Sequence, residues 1–164
     1  MTLINPEFAG NYAGWSVDGS GGGSTTLING GVKLSQYRCG WIIIKQTFII
    51  SGDISYSWKS GMTGSFAEHY GLNIHINGIV LPQTNRPFHV GFIGPTSNSG
   101  VSVFNLSNYI GQTAEIEIFI KEDSPLFGSA DYFCSWSNHA TTFLEITNLK
   151  MIGCPMFRMN MSII

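Results

Sequence analysis

Charge is what this chain has least of. Asp, Glu, Lys and Arg make up 11% of its 164 residues, against roughly 25% in an ordinary globular domain. Its polar surface is therefore built from Ser, Thr, Asn, Gln and Gly, which suits neutral partners such as glycans or other subunits. Eight scattered Lys and Arg with a net charge of -2 cannot line a phosphate-tracking groove, so nucleic-acid binding is excluded. Cysteine is scarce as well. Cys39, Cys134 and Cys154 allow one disulfide at most, and their spacings match no zinc ribbon or CxxC motif. Free thiols are expected, with a Cys134–Cys154 bridge left open. No apolar run is long enough to span a bilayer, because the longest, 41–50, is interrupted by Lys45-Gln46. The opening MTLINPEFAG has no positive region followed by an apolar core, so no signal peptide is visible. Nor does any stretch of helical length carry a 3.6-residue period.

What the chain does have is alternation. Hydrophobic residues make up 43% of it, enough for one core in a chain of single-domain length. In KQTFIISGDISYSWKSG, 45–61, two apolar strands flank Ser51-Gly52-Asp53, read as a tight turn. In the second of them Ile54, Tyr56 and Trp58 share one face, and Ser55, Ser57 and Lys59 the other. Leu72, Ile74 and Ile76 repeat the pattern, as do Ile116, Ile118 and Ile120, with Glu115 and Glu117 facing out. Leu144 and Ile146 point inward around Glu145, and Val101 and Val103 mark a further short strand. Trp15 to Val17 reads as a strand ending at a flexible loop, DGSGGGS. Asn29-Gly30 and Asn77-Gly78 are two-residue hairpin signals. Strands at this spacing predict an all-β, antiparallel β-sandwich of jelly-roll type. Residues 1–152 are expected to form it, and 153–164, CPMFRMNMSII with its preceding Gly, to add a C-terminal strand or an apolar arm of the same domain.

Three longer stretches, 61–70, 81–100 and 122–142, read as loops and hold most of the unpatterned aromatic residues. Long loops on a β scaffold are where function concentrates. Trp15 and Trp58 fit core positions. Trp136 lies in the polar stretch SADYFCSWSNHATT beside Tyr132, Asn138 and His139. An amphipathic ring among amide and imidazole groups suits a glycan or protein contact, and Tyr70 is expected to join that rim. Catalysis finds little footing. Glu68 and His69 are adjacent and so point to opposite sides of an extended chain. No Gly-x-Ser-x-Gly elbow occurs, and the four His lack zinc-binding spacing. His75 reads as a solvated residue on a polar strand face. The Gly19–Gly23 run lacks the Gly-Lys-Ser/Thr ending of a phosphate cradle.

In order, NPEFAGNYAGWSV, IIIKQTFIISGDISYSWKSG, YIGQTAEIEIFIKE and FLEITNLKM resemble the opening, central hairpin, Gly-Gln strand and closing strand of galactose-binding-like, carbohydrate-binding-module β-sandwiches. The likeness covers roughly residues 3–152 and implies a jelly roll. Such modules also recur in phage and other virion structural proteins. Some members hold a structural calcium with carboxylates at the positions of Glu7 and Glu145. Here Glu7 precedes Phe8, where the family often has the reverse order, and Glu145 stands where Asp is common. Calcium needs several oxygen ligands, which two Glu with loop carbonyls could supply; the alternative is that Glu7 and Glu145 are solvent-facing strand residues with no ion.

Taken with the charge-poor surface and the Met-rich tail, the resemblance implies a non-enzymatic virion structural or attachment protein: a capsid-decoration, spike or tail component. Its expected partners are other virion proteins or copies of itself in a homo-oligomer, with cell-surface glycans as a further partner, and its expected location is virion or extracellular. The alternative is a free carbohydrate-binding module or lectin. A glycan-active enzyme would need two carboxylates converging on one cleft.

Overall fold

The computed structural model describes residues 2–37, 40–63, 66–81, 92–93, 96–122 and 141–153. Its strands are β1 (Ser16–Ser20), β2 (Gly23–Ile28), β3 (Gly31–Tyr37), β4 (Trp41–Ile49), β5 (Gly52–Thr63), β6 (Phe66–Ile76), β7 (Ile79–Val80), β8 (Phe92–Ile93), β9 (Thr96–Phe104), β10 (Thr113–Glu122) and β11 (Thr141–Gly153). One short 3-10 turn, Ser107–Tyr109, precedes β10. The strands form two antiparallel sheets. The first runs β1-β4-β10-β6-β7, with β8 also on β6; the second runs β2-β3-β11-β5-β9. This is the expected β-sandwich. Among the described residues no helix is long and apolar enough to cross a membrane.

The alternating residues build the core as their period requires. Ile116, Ile118 and Ile120 of β10 are fully buried, and so are Leu72 and Ile74 of β6. From the second sheet come Val32, Leu34, Ile54, Tyr56, Leu144 and Ile146, all at most 1% exposed. Trp15 and Trp58 join this cluster as expected. The N-terminal segment closes one end of it. Phe8 stacks on Trp15 at 4.6 Å between ring centroids, while the buried Gln46 side chain clamps the Ile4 backbone: it accepts from the amide N–H at 2.6 Å and donates to the carbonyl at 2.9 Å.

Both two-residue hairpins form, joining β2 to β3 and β6 to β7. Asn77 and Gly78 both have positive φ, 50° and 76°, as a type I′ turn needs. At the other turn only Gly30 does, at 70°.

Four expectations are corrected. Ser51-Gly52-Asp53 is no hairpin turn: β4 and β5 belong to different sheets, and the chain crosses the sandwich there. Its polar groups are met from the far connection, where Ile50 N–H donates to the Gln112 carbonyl (2.9 Å) and Leu106 N–H donates to Asp53 Oδ1 (2.8 Å). Alternation reports which face of a strand is buried, and two strands facing one core look alike whether or not they pair. The stretch DGSGGGS is also not a flexible loop. Gly19 and Ser20 end β1, Gly23 starts β2, and the pair between them carries the chain from one sheet to the other. Residues 61–63 and 66–70 are strand rather than loop, extending β5 and β6. Finally, the short strand marked by Val101 and Val103 spans nine residues. Its valines face solvent, at 60% and 42% exposure, while Ser102 lies inside and accepts the Trp58 indole N–H at 3.0 Å. A buried indole needs an acceptor, and here that need outweighs the apolar alternation.

Candidate functional site

The outward face of the β1-β4-β10-β6-β7 sheet carries the densest chemistry in the described molecule. On β4, Ile42, Ile44, Gln46 and Phe48 point into the core, which turns Trp41, Ile43, Lys45 and Thr47 outward. Pairing sets Ser16 opposite Lys45, Asp18 opposite Ile43 and Ser20 opposite Trp41. Ser16, Asp18, Trp41, Ile43 and Lys45 line a depression of about 330 Å³. Its size lies at the small end of the range for ligand pockets, roughly 300–1,000 Å³. The indole of Trp41 is half-buried, and Asp18 and Ser16 are exposed beside it.

Across β10 the face becomes ionic. Glu115 pairs in register with Thr47 and His75, and Glu117 with Lys45 and Asn73. Lys45 Nζ lies 3.1 Å from Glu117 Oε2 and 3.4 Å from Glu115 Oε1. Lys121 Nζ reaches Glu117 Oε1 at 3.0 Å and sits 4.7 Å from the Phe119 ring centroid. Glu117, expected on a wet face, is 5% exposed, and the neighbouring Phe119 is fully buried. Burial pushes the Glu117 carboxyl up, but the hydrogen bond and charge of Lys121, followed by those of Lys45, outweigh it and hold the group below its ordinary 4.5. The hydrogen bond that the Lys45 ammonium donates to Glu117 raises Lys45 above 10.5; partial burial opposes the shift, and the charges of Glu117 and Glu115 reinforce it. Beyond this chain of charges, Thr47, His75, Asn77, Thr113 and Glu115 line a second depression of about 380 Å³. His75 is half-buried there, and its Nε2 has no hydrogen-bond partner among the described residues.

Trp136, Tyr132, Asn138 and His139 fall outside the described residues, as do all three cysteines. Tyr70 is corrected from rim to core. It is 3% exposed because it occupies the inward row of β6 opposite Ile120, and its hydroxyl meets Ser60 Oγ at 3.3 Å inside the sandwich. Glu145 lies on the outer face of the other sheet, 3.3 Å from Lys33 Nζ and in register with Lys59. Glu7 is exposed in the N-terminal segment, beside the β2–β3 turn. A carboxylate held among lysines is a poor start for a calcium cage. Among the described residues no group of three or more His, Cys, Asp or Glu is placed to hold a metal, so a calcium site at Glu7 and Glu145 would need backbone carbonyls or residues outside the described ones to complete it.

Sequence reasoning did not bring Trp41, Asp18, Lys45 and Glu115 together: 41–50 read as the longest apolar stretch, interrupted at Lys45-Gln46, Asp18 fell in the stretch read as a flexible loop, and Glu115 read only as an outward-facing strand residue. The signal was present: WIIIKQTF places large residues on both faces, which marks a strand covered or half-covered on both sides.

No protein-family model matches the chain, and no curated protein matches it in sequence. Solved structures do. TmCBM61, solved in complex with beta-1,4-galactotriose, superposes with a TM-score of 0.51 at 11% identity, covering 93% of this chain and 97% of its own. The family 11 carbohydrate-binding module of the cellulosomal cellulase Lic26A-Cel5E of Clostridium thermocellum gives 0.43 at 14% identity, over 93% and 94%. The enzymatically active domain of tailspike protein 4 of bacteriophage CBA120 gives 0.46 at 12% identity, over 92% of this chain and 21% of that one. At such identities the likeness is one of fold. The chain has the jelly-roll β-sandwich of the carbohydrate-binding modules, as its motifs implied.

Proposed function

We propose that this chain is a non-catalytic glycan-binding β-sandwich that contacts its ligand on the outward face of the β1-β4-β10-β6-β7 sheet. The observation that carries the reading is the half-buried Trp41 in a depression flanked by Asp18, Ser16 and Lys45. An indole offers a flat apolar surface to the C–H face of a sugar ring, and flanking oxygen and ammonium groups bond its hydroxyls. The TM-score of 0.51 to a module solved with a galactotriose supports the architecture on which the reading rests. A binding role is favoured over hydrolysis because Glu117, the buried carboxylate of the face, is held ionised by two lysines and so has no proton to give at neutral pH.

The finer reading is that the module serves as an attachment or structural component of a virion. The charge-poor surface supports it.

A glycan array tests the binding role. Wild type is expected to bind a restricted set of oligosaccharides. Trp41→Ala is expected to lose that binding by roughly thirtyfold or more, as the loss of an aromatic anchor does, with an unchanged melting temperature. A parallel Trp136→Ala variant decides whether Trp136, with Tyr132, Asn138 and His139, forms the site instead: loss there and not at Trp41 would move the ligand to that stretch. Runs with calcium and with chelator test the ion that Glu7 and Glu145 implied. A wild type blank on every glycan would refute the reading.

A further inference from the structure

Lys45 is the one cation among the described residues that lines the Trp41 depression, and it is already engaged. Two of the three donors of an ammonium face Glu117 Oε2 at 3.1 Å and Glu115 Oε1 at 3.4 Å. Asp18 stands beside it, exposed, and its carboxylate has no ion pair among the described residues. Along this stretch of the face, Asp18, Glu115 and Glu117 set three carboxylates against the two ammonium groups of Lys45 and Lys121. We propose that Glu115 and Glu117 act as positioning residues that clamp Lys45, so that the face accepts uncharged glycans and rejects acidic ones. The proposal rests on the glycan-binding reading above and names the ligand class for the same face.

The chemistry follows from the clamp. Lys45 keeps one N–H to give to a neutral hydroxyl, but its charge is offset by two carboxylates within 3.4 Å. A uronate, sialate or sulfate entering the depression would meet the carboxylate of Asp18 with no uncommitted cation among the described lining residues to compensate it, and like charges in a partly desolvated site repel strongly. A sugar hydroxyl suffers no such penalty. It donates to Asp18 and accepts from the remaining N–H of Lys45. Removing the clamp frees Lys45 to serve as a counter-ion, and selectivity is then expected to relax toward acidic ligands.

The test uses an array that carries neutral oligosaccharides beside uronate-, sialate- and sulfate-bearing ones. Wild type is expected to bind neutral spots alone. Glu115→Gln, at a side chain 40% exposed, is expected to fold and to gain acidic binding by roughly tenfold relative to neutral. Glu115→Gln/Glu117→Gln releases Lys45 entirely and is expected to gain more; if the buried change prevents folding, the single variant decides. A purely structural role for the glutamates would lower all binding together and leave the ratio unmoved, which overturns the proposal. Wild-type binding to acidic spots, lost on Trp41→Ala, would overturn the clamp while leaving the glycan-binding reading intact. A blank array would overturn both.

Discussion

A Lys45→Met/Lys121→Met double variant is expected to lose about 3–5 kcal/mol of folding stability, the cost of stranding a buried charge without its partners. Glu117 is 5% exposed, and its two carboxylate oxygens lie 3.1 Å and 3.0 Å from the two ammonium groups. Each lysine is itself more than a third exposed, so either single substitution is expected to cost less, since the other cation remains and solvent screens it. The double variant leaves burial as the dominant influence on Glu117.

Its pH dependence separates this account from simple loss of packing. In the wild type the Glu117 carboxyl sits below 4.5 when folded, so the unfolded chain binds more protons as the solution is acidified. The stabilisation is complete above that ordinary value and is lost as pH falls through the lower folded one. Lys45 works from the other side. Its folded value lies above 10.5, so its contribution is complete below that value and fades as pH rises through the raised one. In the double variant burial should raise Glu117, which reverses the acid slope: stability should then improve as pH falls. Urea unfolding of both proteins between pH 3 and pH 7, monitored by tryptophan fluorescence, reads the two slopes. Parallel slopes would contradict the account.

The second large effect is expected from the backbone. Gly22→Ala should destabilise the fold by about 3 kcal/mol, the upper part of the usual range for overpacking. A Cβ at that position would lie far inside van der Waals contact of the Tyr37 carbonyl oxygen, whose own residue donates its N–H to the Gly22 carbonyl at 3.0 Å. Backbone atoms leave no rotamer through which to yield. A Cβ on Gly23 would meet similar obstruction from the Trp41 backbone, and one on Gly40 from the backbones of Gly22 and Gly23, so the chain around 22–23, 37 and 40–41 approaches itself here without room for side chains. Gly10→Ala, where the Cβ would meet nothing within 4 Å but φ is +71°, is the comparison: it should cost roughly 1 kcal/mol from the left-handed conformation alone. Thermal unfolding of both variants gives the ranking, and equal losses would argue against crowding at the crossover.

That crossover also marks where sequence reading reached its limit. Period-two patterns at 54–58, 72–76, 116–120 and 144–146 report burial of one strand face, and each proved to face the core. The Asn-Gly pairs report local turn chemistry, and both turns formed. Sheet membership is a different kind of fact. The residues around Ser51 are compatible with a hairpin or with a step across the sandwich, and what selects the step is hydrogen bonding of Ile50 to Gln112 and of Asp53 to Leu106, both more than fifty positions along the chain. Likewise, nothing within TAEIEIFIKE separates the buried Glu117 from the half-buried Glu115. The difference comes from lysines on both sides of one residue and from Phe119 beside it. The proposed binding face was missed for a related reason. Trp41 sits in a run apolar on both faces, and only pairing of β4 with β1 brings Asp18 and Ser16 into the depression that Trp41 also lines.

The central claim is that Trp41 carries the ligand, and the four indole N–H groups of the chain allow a direct test by two-dimensional 1H–15N correlation spectroscopy. Trp15 and Trp58 are internal references, because their indoles donate to the Asn5 carbonyl and to Ser102 Oγ, each at 3.0 Å, within the fold. During titration with the strongest-binding oligosaccharide from the array, the Trp41 indole signal is expected to move progressively to saturation while those of Trp15 and Trp58 hold still. Saturation with the Trp41 signal unmoved would contradict the account and place the ligand off this face.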